Sequence, residues 1–330
     1  MNNTTDGGSN ASLVNTSEYR HALQAIYISH CVFVVIGTLL NLWLFFCIVT
    51  SKDLRERFRN QLICNMAVLH LTESLIKSPI IVAFILKVLS GNTIEEPCHF
   101  IAAINNTERI QSFIVDWLLV FLVALFLAQV LGCSPPNKLT PLSLRIGKVL
   151  LHVLPWAAAL VVTPSLVYFY QGENACLSPP YLSHFVFTSI NTVTPVILSM
   201  VLAILATALS CWRRQSWASR MGANLINGPR DVDSCFAYIA AVVTTAACEI
   251  CNVAFYMYLK INMRFLGIGF EAAALILSDS RVIFMVLPWL LLSDVRCRLK
   301  TWRPWYRPPP GIDLTVTYDK ETCDQHSVFA

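Results

Sequence analysis

Charge is scarce in this sequence. Only 13% of its 330 residues are charged, while 55% are hydrophobic. A soluble chain of this length needs more charge to stay dissolved. Other features are also missing. No segment alternates apolar and polar residues over the ~10 positions of a membrane β-strand, which excludes a barrel. No CxxC…CxxC or Cys/His ligand set occurs, so no metal and no cofactor is expected. No nucleophile, base and orienting group fall at a recognisable spacing, so no enzyme is expected. The net charge of +4 is modest and gives no reason to expect a nucleic-acid partner.

Long apolar runs fill the space that charge leaves. Each is long enough to cross a hydrocarbon core of about 30 Å at ~1.5 Å per residue. In that solvent the backbone must satisfy itself, which predicts helices. The runs fall at residues 25–49, 60–86, 110–133, 148–170, 184–211, 234–259 and 265–292. The expected fold is therefore an all-α membrane protein, a seven-transmembrane helix bundle spanning 25–292. Five of the twelve cysteines, Cys31, Cys47, Cys64, Cys248 and Cys251, lie within these runs and read as small buried hydrophobes.

Lysine and arginine set the orientation. They gather in the first loop (Lys52, Arg55, Arg57, Arg59), the third (Lys138, Arg145), the fifth (Arg213, Arg214, Arg220, Arg230) and after the last run (Arg296, Arg298, Lys300, Arg303, Arg307). These regions are expected in the cytoplasm. The first 24 residues are expected outside, where sequons at Asn2, Asn3, Asn10 and Asn15 mark a glycosylated tail. No cleavable signal is expected among them, and the first apolar run is expected to act as the insertion signal. Residues 293–302, "SDVRCRLKTW", alternate basic side chains with Val295, Leu299 and Trp302, which suits a short amphipathic eighth helix on the anionic inner leaflet. Cys297 there is a candidate palmitoylation site, with a plain exposed thiol as the equal alternative. Prolines in "RPWYRPPPG" end the helix, and 303–330 reads as a disordered cytoplasmic tail.

Ionisable residues inside the apolar runs are the informative exceptions, because each costs ~2.5–3.5 kcal/mol at mid-bilayer on insertion scales. Glu73 and Lys77 stand four apart on one helix face with Glu first, the favourable order for a pair, and His70 lies one turn earlier. Asp116 lies in the third run, Glu249 in the sixth, and Asp279 and Arg281 in the seventh. Each is open to two readings: a contact to ligand, or a member of an interhelical polar network. Asp116 is a candidate anchor for a cationic ligand, and Gln111 a hydrogen-bonding contact nearer the outer mouth. Asp279 and Arg281 are expected to pair with each other or with Glu249.

Gly37 and Asn41 in "GTLLNLWLF", and Asn60, Asn65, Ala67, Val68 and Leu71 in "NQLICNMAVLHL", fall in the register of the first two helices of rhodopsin-like (class A) G-protein-coupled receptors. Pro79, Trp156 and Pro195 match further positions in the second, fourth and fifth helices. The third helix of that family ends in D-R-Y, followed by a proline. Here Ala128, Gln129 and Val130 stand in that frame, and Pro136 lands on the proline. The sequence over roughly 20–302 therefore resembles a divergent member of that family. It departs from the pattern at several places. His70 replaces the second-helix aspartate. Glu249 and Cys251 stand where the sixth helix carries tryptophan and proline, and Phe284, Met285 and Pro288 where the seventh carries N-P-x-x-Y.

The resemblance implies an orphan receptor at the plasma membrane for an extracellular small molecule or short peptide. It implies a disulfide between Cys98 and Cys176, although Cys98 stands nearly two helical turns further from Gln129 than the family pattern. An insertion around "NNTERI" accounts for that, with Asn105 a glycan site or a helix start. It also implies a heterotrimeric G protein at Ala128, Gln129 and Val130, reached when the sixth helix swings outward. With neither arginine nor acid there, and no proline in 234–259, the expected coupling is weak or unconventional. Sodium insensitivity follows from His70. A polytopic transporter using the intramembrane charges, and a non-signalling partner that dimerises with another receptor, are the competing readings. Epitope tags on intact cells test the orientation: an N-terminal tag should be labelled from outside, and a C-terminal tag only after permeabilisation.

Overall fold

The structure is a computed structural model that describes residues 8–90, 97–131, 141–170, 189–220, 235–262 and 268–301. Asn2, Asn3, Cys176 and the tail 303–330 lie outside the described residues, as do the side chains of Asn10, Asn15, Cys98 and Cys297. Among the described residues the chain is helical and contains no strand.

Helix α1 comprises Gly8–Val32, a wide π-turn at Phe33–Gly37 and Thr38–Thr50. Lys52–Glu56 adds a single turn. Helix α2 comprises Phe58–Thr72, a second π-turn at Glu73–Lys77 and Ser78–Leu89. Helix α3 is Pro97–Leu131 and α4 is Pro141–Tyr170. Helix α5 opens on a π-turn at Ser189–Val193 and continues as Thr194–Arg220. Helix α6 is Cys235–Asn262, and α7 comprises Ile268–Asp279, Arg281–Phe284 and Val286–Leu290. Helix α8 is Ser293–Thr301. Among the described residues, five stretches are long and apolar enough to cross a membrane: Ser17–Thr50, Phe58–Leu89, Ile110–Leu131, Thr194–Trp212 and Ala272–Leu290. Shorter apolar stretches lie within α4 (Val149–Val161) and α6 (Cys235–Cys251). This architecture is compatible with a membrane protein.

Two helices extend past the expected boundaries. Helix α1 begins at Gly8, well before residue 25. Helix α3 begins at Pro97, so "NNTERI" is helical and Asn105 sits mid-helix rather than at a start. The stretch from Cys98 to Gln129 is thus one continuous helix.

Prolines explain two of the π-turns. Pro79 has no N–H to give the Leu75 carbonyl, and its ring crowds that carbonyl. The helix widens directly ahead of it, over Glu73–Lys77. Pro195 stands in the same relation to the turn at Ser189–Val193. In α7, Pro288 leaves the Phe284 carbonyl without its usual donor, and the Ser280 hydroxyl donates to the Leu277 carbonyl at 2.6 Å. The helix is correspondingly interrupted at Ser280 and Met285.

Large apolar side chains cover the outside. Leu39, Val161 and Ile204 are 63%, 66% and 68% exposed. The interior holds both the apolar core and most of the charged residues within the apolar helices, the reverse of a water-soluble bundle. Helix α3 is central and packs against α2, α4, α5 and α6. Toward its C-terminal end, Phe126 stacks on Tyr238 of α6 (ring centroids 4.4 Å apart), which meets Trp289 of α7 edge-on.

Polar side chains fix the helix contacts. Asn41 donates to the Gly37 carbonyl of its own helix at 2.8 Å and to the Val282 carbonyl of α7 at 2.7 Å. Gly37 permits that approach, since a Cβ there would lie 3.0 Å from Val282 Cγ1 and 3.5 Å from Ser74 Cβ. Trp156 of α4 donates its indole N–H to Asn65 Oδ1 of α2 at 3.2 Å. Helix α8 is held by Asp294, which accepts from Arg57 at 3.0 Å, from Asn60 at 3.3 Å and from Arg59. Val295 beside it is buried, while Arg296 is exposed, as an amphipathic helix requires.

Replacing Asn41 with Ala removes two bonds and strands the Val282 carbonyl. The expected cost is about 1–3 kcal/mol, read as a lower melting temperature of the purified protein in detergent.

Candidate functional site

The ionisable residues of the apolar helices converge on one buried cluster. The π-turn in α2 carries Glu73 at its start and Lys77 at its end, their charged groups 3.6 Å apart. The expected pair within one helix is therefore present, but it is not self-contained. Lys77 donates to Asp279 Oδ1 of α7 at 2.7 Å, and His30 Nε2 of α1 lies 3.3 Å from Asp279 Oδ2. His30 Nδ1 also meets Ser78 Oγ at 3.1 Å. His70 Nδ1 lies 3.5 Å from Glu73 Oε2.

Arg281 joins this group to the opposite side of the bundle. Its Nη1 donates to Glu249 Oε1 of α6 at 3.2 Å and to Ser112 Oγ of α3 at 3.0 Å, and its Nε lies 3.8 Å from Glu73 Oε2. Ser278 donates to the same Glu249 oxygen at 3.1 Å. Of the two pairings open to Arg281, the one with Glu249 is made. Asp279 turns instead to Lys77 and His30. All these charged side chains are buried, with Arg281 only 2% exposed.

Asp116 lies at the edge of the cluster. It is 2% exposed, and its Oδ2 accepts from Ser112 Oγ at 3.4 Å. Gln111, the residue before Ser112, donates to Thr72 Oγ1 of α2 at 2.8 Å. Ala128 is half-buried, Gln129 exposed and Val130 buried at the C-terminal end of α3. The candidate residues thus fall into two separate places: Gln111, Asp116, Glu249 and Asp279 in or beside the ionic cluster, and Ala128 to Val130 more than three turns beyond Asp116 along α3.

Sequence reasoning missed His30, Ser112 and Ser278. His30 carried a readable signal, a lone titratable group in the apolar stretch "YISHCVF". The serines carried none, since small polar residues are common throughout the runs. The arrangement can store charge, hold protons and couple five helices. Among the described residues, no group of three or more His, Cys, Asp and Glu side chains is placed to hold a metal ion.

No protein-family model matches the chain, and no curated protein matches it either.

Arg281→Met leaves Glu73 and Glu249 without their shared cation inside the bundle. The expected loss is about 3–5 kcal/mol. Adding Glu249→Gln should restore part of it, and a double-mutant cycle of melting temperatures measures the coupling.

Proposed function

We propose that this chain is a rhodopsin-like orphan receptor of the plasma membrane. In this reading seven helices cross the bilayer, the glycosylated N-terminus is outside, and coupling to a heterotrimeric G protein is weak or unconventional. The observation that carries the reading is where the family-like residues lie. Asn41 ties α1 to α7, and Asn65 with Trp156 ties α2 to α4. These three residues are among those that bear the resemblance, and their polar groups cross between helices, as does that of Asn60, which donates to Asp294 of α8.

The ligand is a small molecule or short peptide. Of the candidate contacts, Glu249 and Asp279 are engaged in ion pairs and Gln111 in a hydrogen bond to α2. A ligand therefore acts on this cluster by displacing existing contacts, and its effect equals its differential affinity for the two packings. At the other end, Ala128 and Gln129 provide no acid–arginine pair. The stack of Phe126, Tyr238 and Trp289 joins α3, α6 and α7 there instead.

A second reading, a transporter, is favoured by the buried ionic cluster, which resembles a polar pathway in chemistry. Measuring G-protein activation in cells at rising expression separates the two. Expression-dependent basal activation of any G-protein class supports the receptor. A flat response with every class, together with substrate flux, supports the carrier. A flat response without flux supports the non-signalling partner. The double substitution Ala128→Asp with Gln129→Arg should change basal activation several-fold if that end of α3 faces a G protein. An unchanged signal argues against such a face.

A further inference from the structure

Where α1, α2 and α8 end, cations outnumber acids. The turn Lys52–Glu56, the start of α2 and helix α8 carry six cations, Lys52, Arg55, Arg57, Arg59, Arg296 and Arg298, against three carboxylates, Asp53, Glu56 and Asp294. Glu56 lies 4.0 Å from Lys52. Asp294 pairs with Arg59, and both side chains are largely withdrawn from solvent. Arg59 is fixed further by donating Nε to Asn60 Oδ1 at 3.0 Å, and Asn60 donates to the Leu54 carbonyl at 3.0 Å. One buried cation thus meets one buried anion.

Arg57 is the cation in excess. Its Nη1 reaches the same Asp294 oxygen at 3.0 Å, onto which Arg59 and Asn60 already donate. One carboxylate does not neutralise two guanidinium groups. The Arg57 side chain is 53% exposed, and a guanidinium has five N–H donors, more than this one contact uses. Arg55 in the turn and Arg296 on α8 are exposed as well. This surface is short of acceptors, and its planar donor forks match phosphate oxygens. It also adjoins a lipid-facing strip. Leu39 and Phe46, seven residues apart on one side of α1, are exposed, and Arg55 Nη1 donates to the carbonyl of Val49, one turn beyond Phe46, at 3.5 Å. An acyl chain laid along α1 past Leu39 and Phe46 ends at that guanidinium. A soluble phosphate gains nothing from the strip.

The geometry points to a headgroup site for a polyphosphoinositide, formed by Arg55, Arg57 and Arg296, with the acyl chains along α1. A headgroup bearing several phosphate groups meets several guanidinium groups at once, whereas a headgroup of single charge, such as phosphatidylserine, meets one. Bound phosphate supplies the acceptor that Arg57 lacks and leaves the Arg59–Asp294 pair, which fixes α8, in place. The site rests on the reading of the chain as membrane-spanning with these arginines toward the inner leaflet, and it depends on no G protein.

The test is native mass spectrometry of the full chain purified in detergent, with phosphatidylinositol bisphosphate, phosphatidylserine and phosphatidylcholine supplied in equal amounts. The wild type should retain the phosphoinositide in preference to the other two. Arg57→Gln with Arg296→Gln should bind it about fivefold more weakly for each arginine lost. Arg213→Gln with Arg214→Gln, which removes as many cations from the end of α5, should bind as the wild type does. Inositol trisphosphate, a headgroup without chains, should compete poorly. Equal retention of phosphatidylserine, undiminished binding after the Arg57 and Arg296 changes, an equal loss in both double variants, or competition by inositol trisphosphate as effective as by the whole lipid overturns the site. If the Arg57 variant does not fold, Arg55→Gln with Arg296→Gln decides, and undiminished binding there overturns the site equally. Binding to purified protein is independent of orientation in the cell, so epitope tags that place the first loop outside would overturn the orientation alone.

Discussion

Arg281 buries a permanent positive charge inside the bundle, and the surrounding helices are organised to tolerate it. A guanidinium has five N–H donors in one plane and cannot lose its proton to escape burial. Glu249, Ser112 and Glu73 face that plane from α6, α3 and α2. Its neighbour Asp279 points elsewhere, as helix geometry requires. Residues two apart lie about 200° apart around an ideal helix. Helix α7 packs against both α1 and α6, so both directions are interior. One side of α7 thus delivers a carboxylate to His30 and Lys77, while the other delivers a cation to Glu249.

The backbone irregularities serve the same arrangement. Glu73 and Lys77 mark the two ends of the π-turn that Pro79 imposes on α2. Widening that turn changes the angle between them, and Lys77 reaches Asp279 as well as Glu73. The π-turn of α1 packs against that of α2 and against the first residues of α7 after Ser280. Gly37 closes this turn and keeps the three helices near enough for Asn41 to reach Val282. Ion pairs and backbone contacts therefore fall at one level of the bundle and lock α1, α2 and α7 together. Buried pairs of this kind are weak evidence of net stability, because desolvation offsets most of the attraction. Their effect is on register: a one-turn slip of α7 would strand Arg281 and Asp279 at once.

Much of this was legible in the sequence, and the failures have physical causes. Helical class and the apolar runs follow from length and composition alone, which are local properties. The Glu73–Lys77 pair was legible because four residues separate its members on one helix. The bond from Lys77 to Asp279 was not, since the two are 202 positions apart in the sequence and only the packing of α2 on α7 brings them together. His30 was missed although it is a lone titratable side chain in an apolar run; its partner Asp279 lies 249 positions away and only the packing of α1 on α7 brings the two together. The start of α3 at Pro97 was hidden by the polar residues of "NNTERI". They look like a loop, yet nothing in them breaks a helix. Asn41 and Trp156 were singled out by pattern, but their partners, Val282 and Asn65, became apparent only in three dimensions.

The two halves of α3 hold its neighbours by opposite means, and this bears on how the bundle could switch. Near Ser112 and Asp116 the contacts are directional and charged, so a change of one proton or one ligand group alters them sharply. Near Phe126 and Val130 they are apolar, and Tyr238 and Trp289 fill the place between α3, α6 and α7. Apolar packing of this kind depends little on angle and not at all on ionic state. The absence of an acid–arginine pair at Ala128 and Gln129 therefore does not leave α6 loose. Parting α6 from α3 requires exposing two of the largest buried side chains, at ~1.5–3 kcal/mol for each fully buried side chain. Any rearrangement that begins at the ionic cluster must therefore overcome that apolar contact before α6 parts from α3 at the far end.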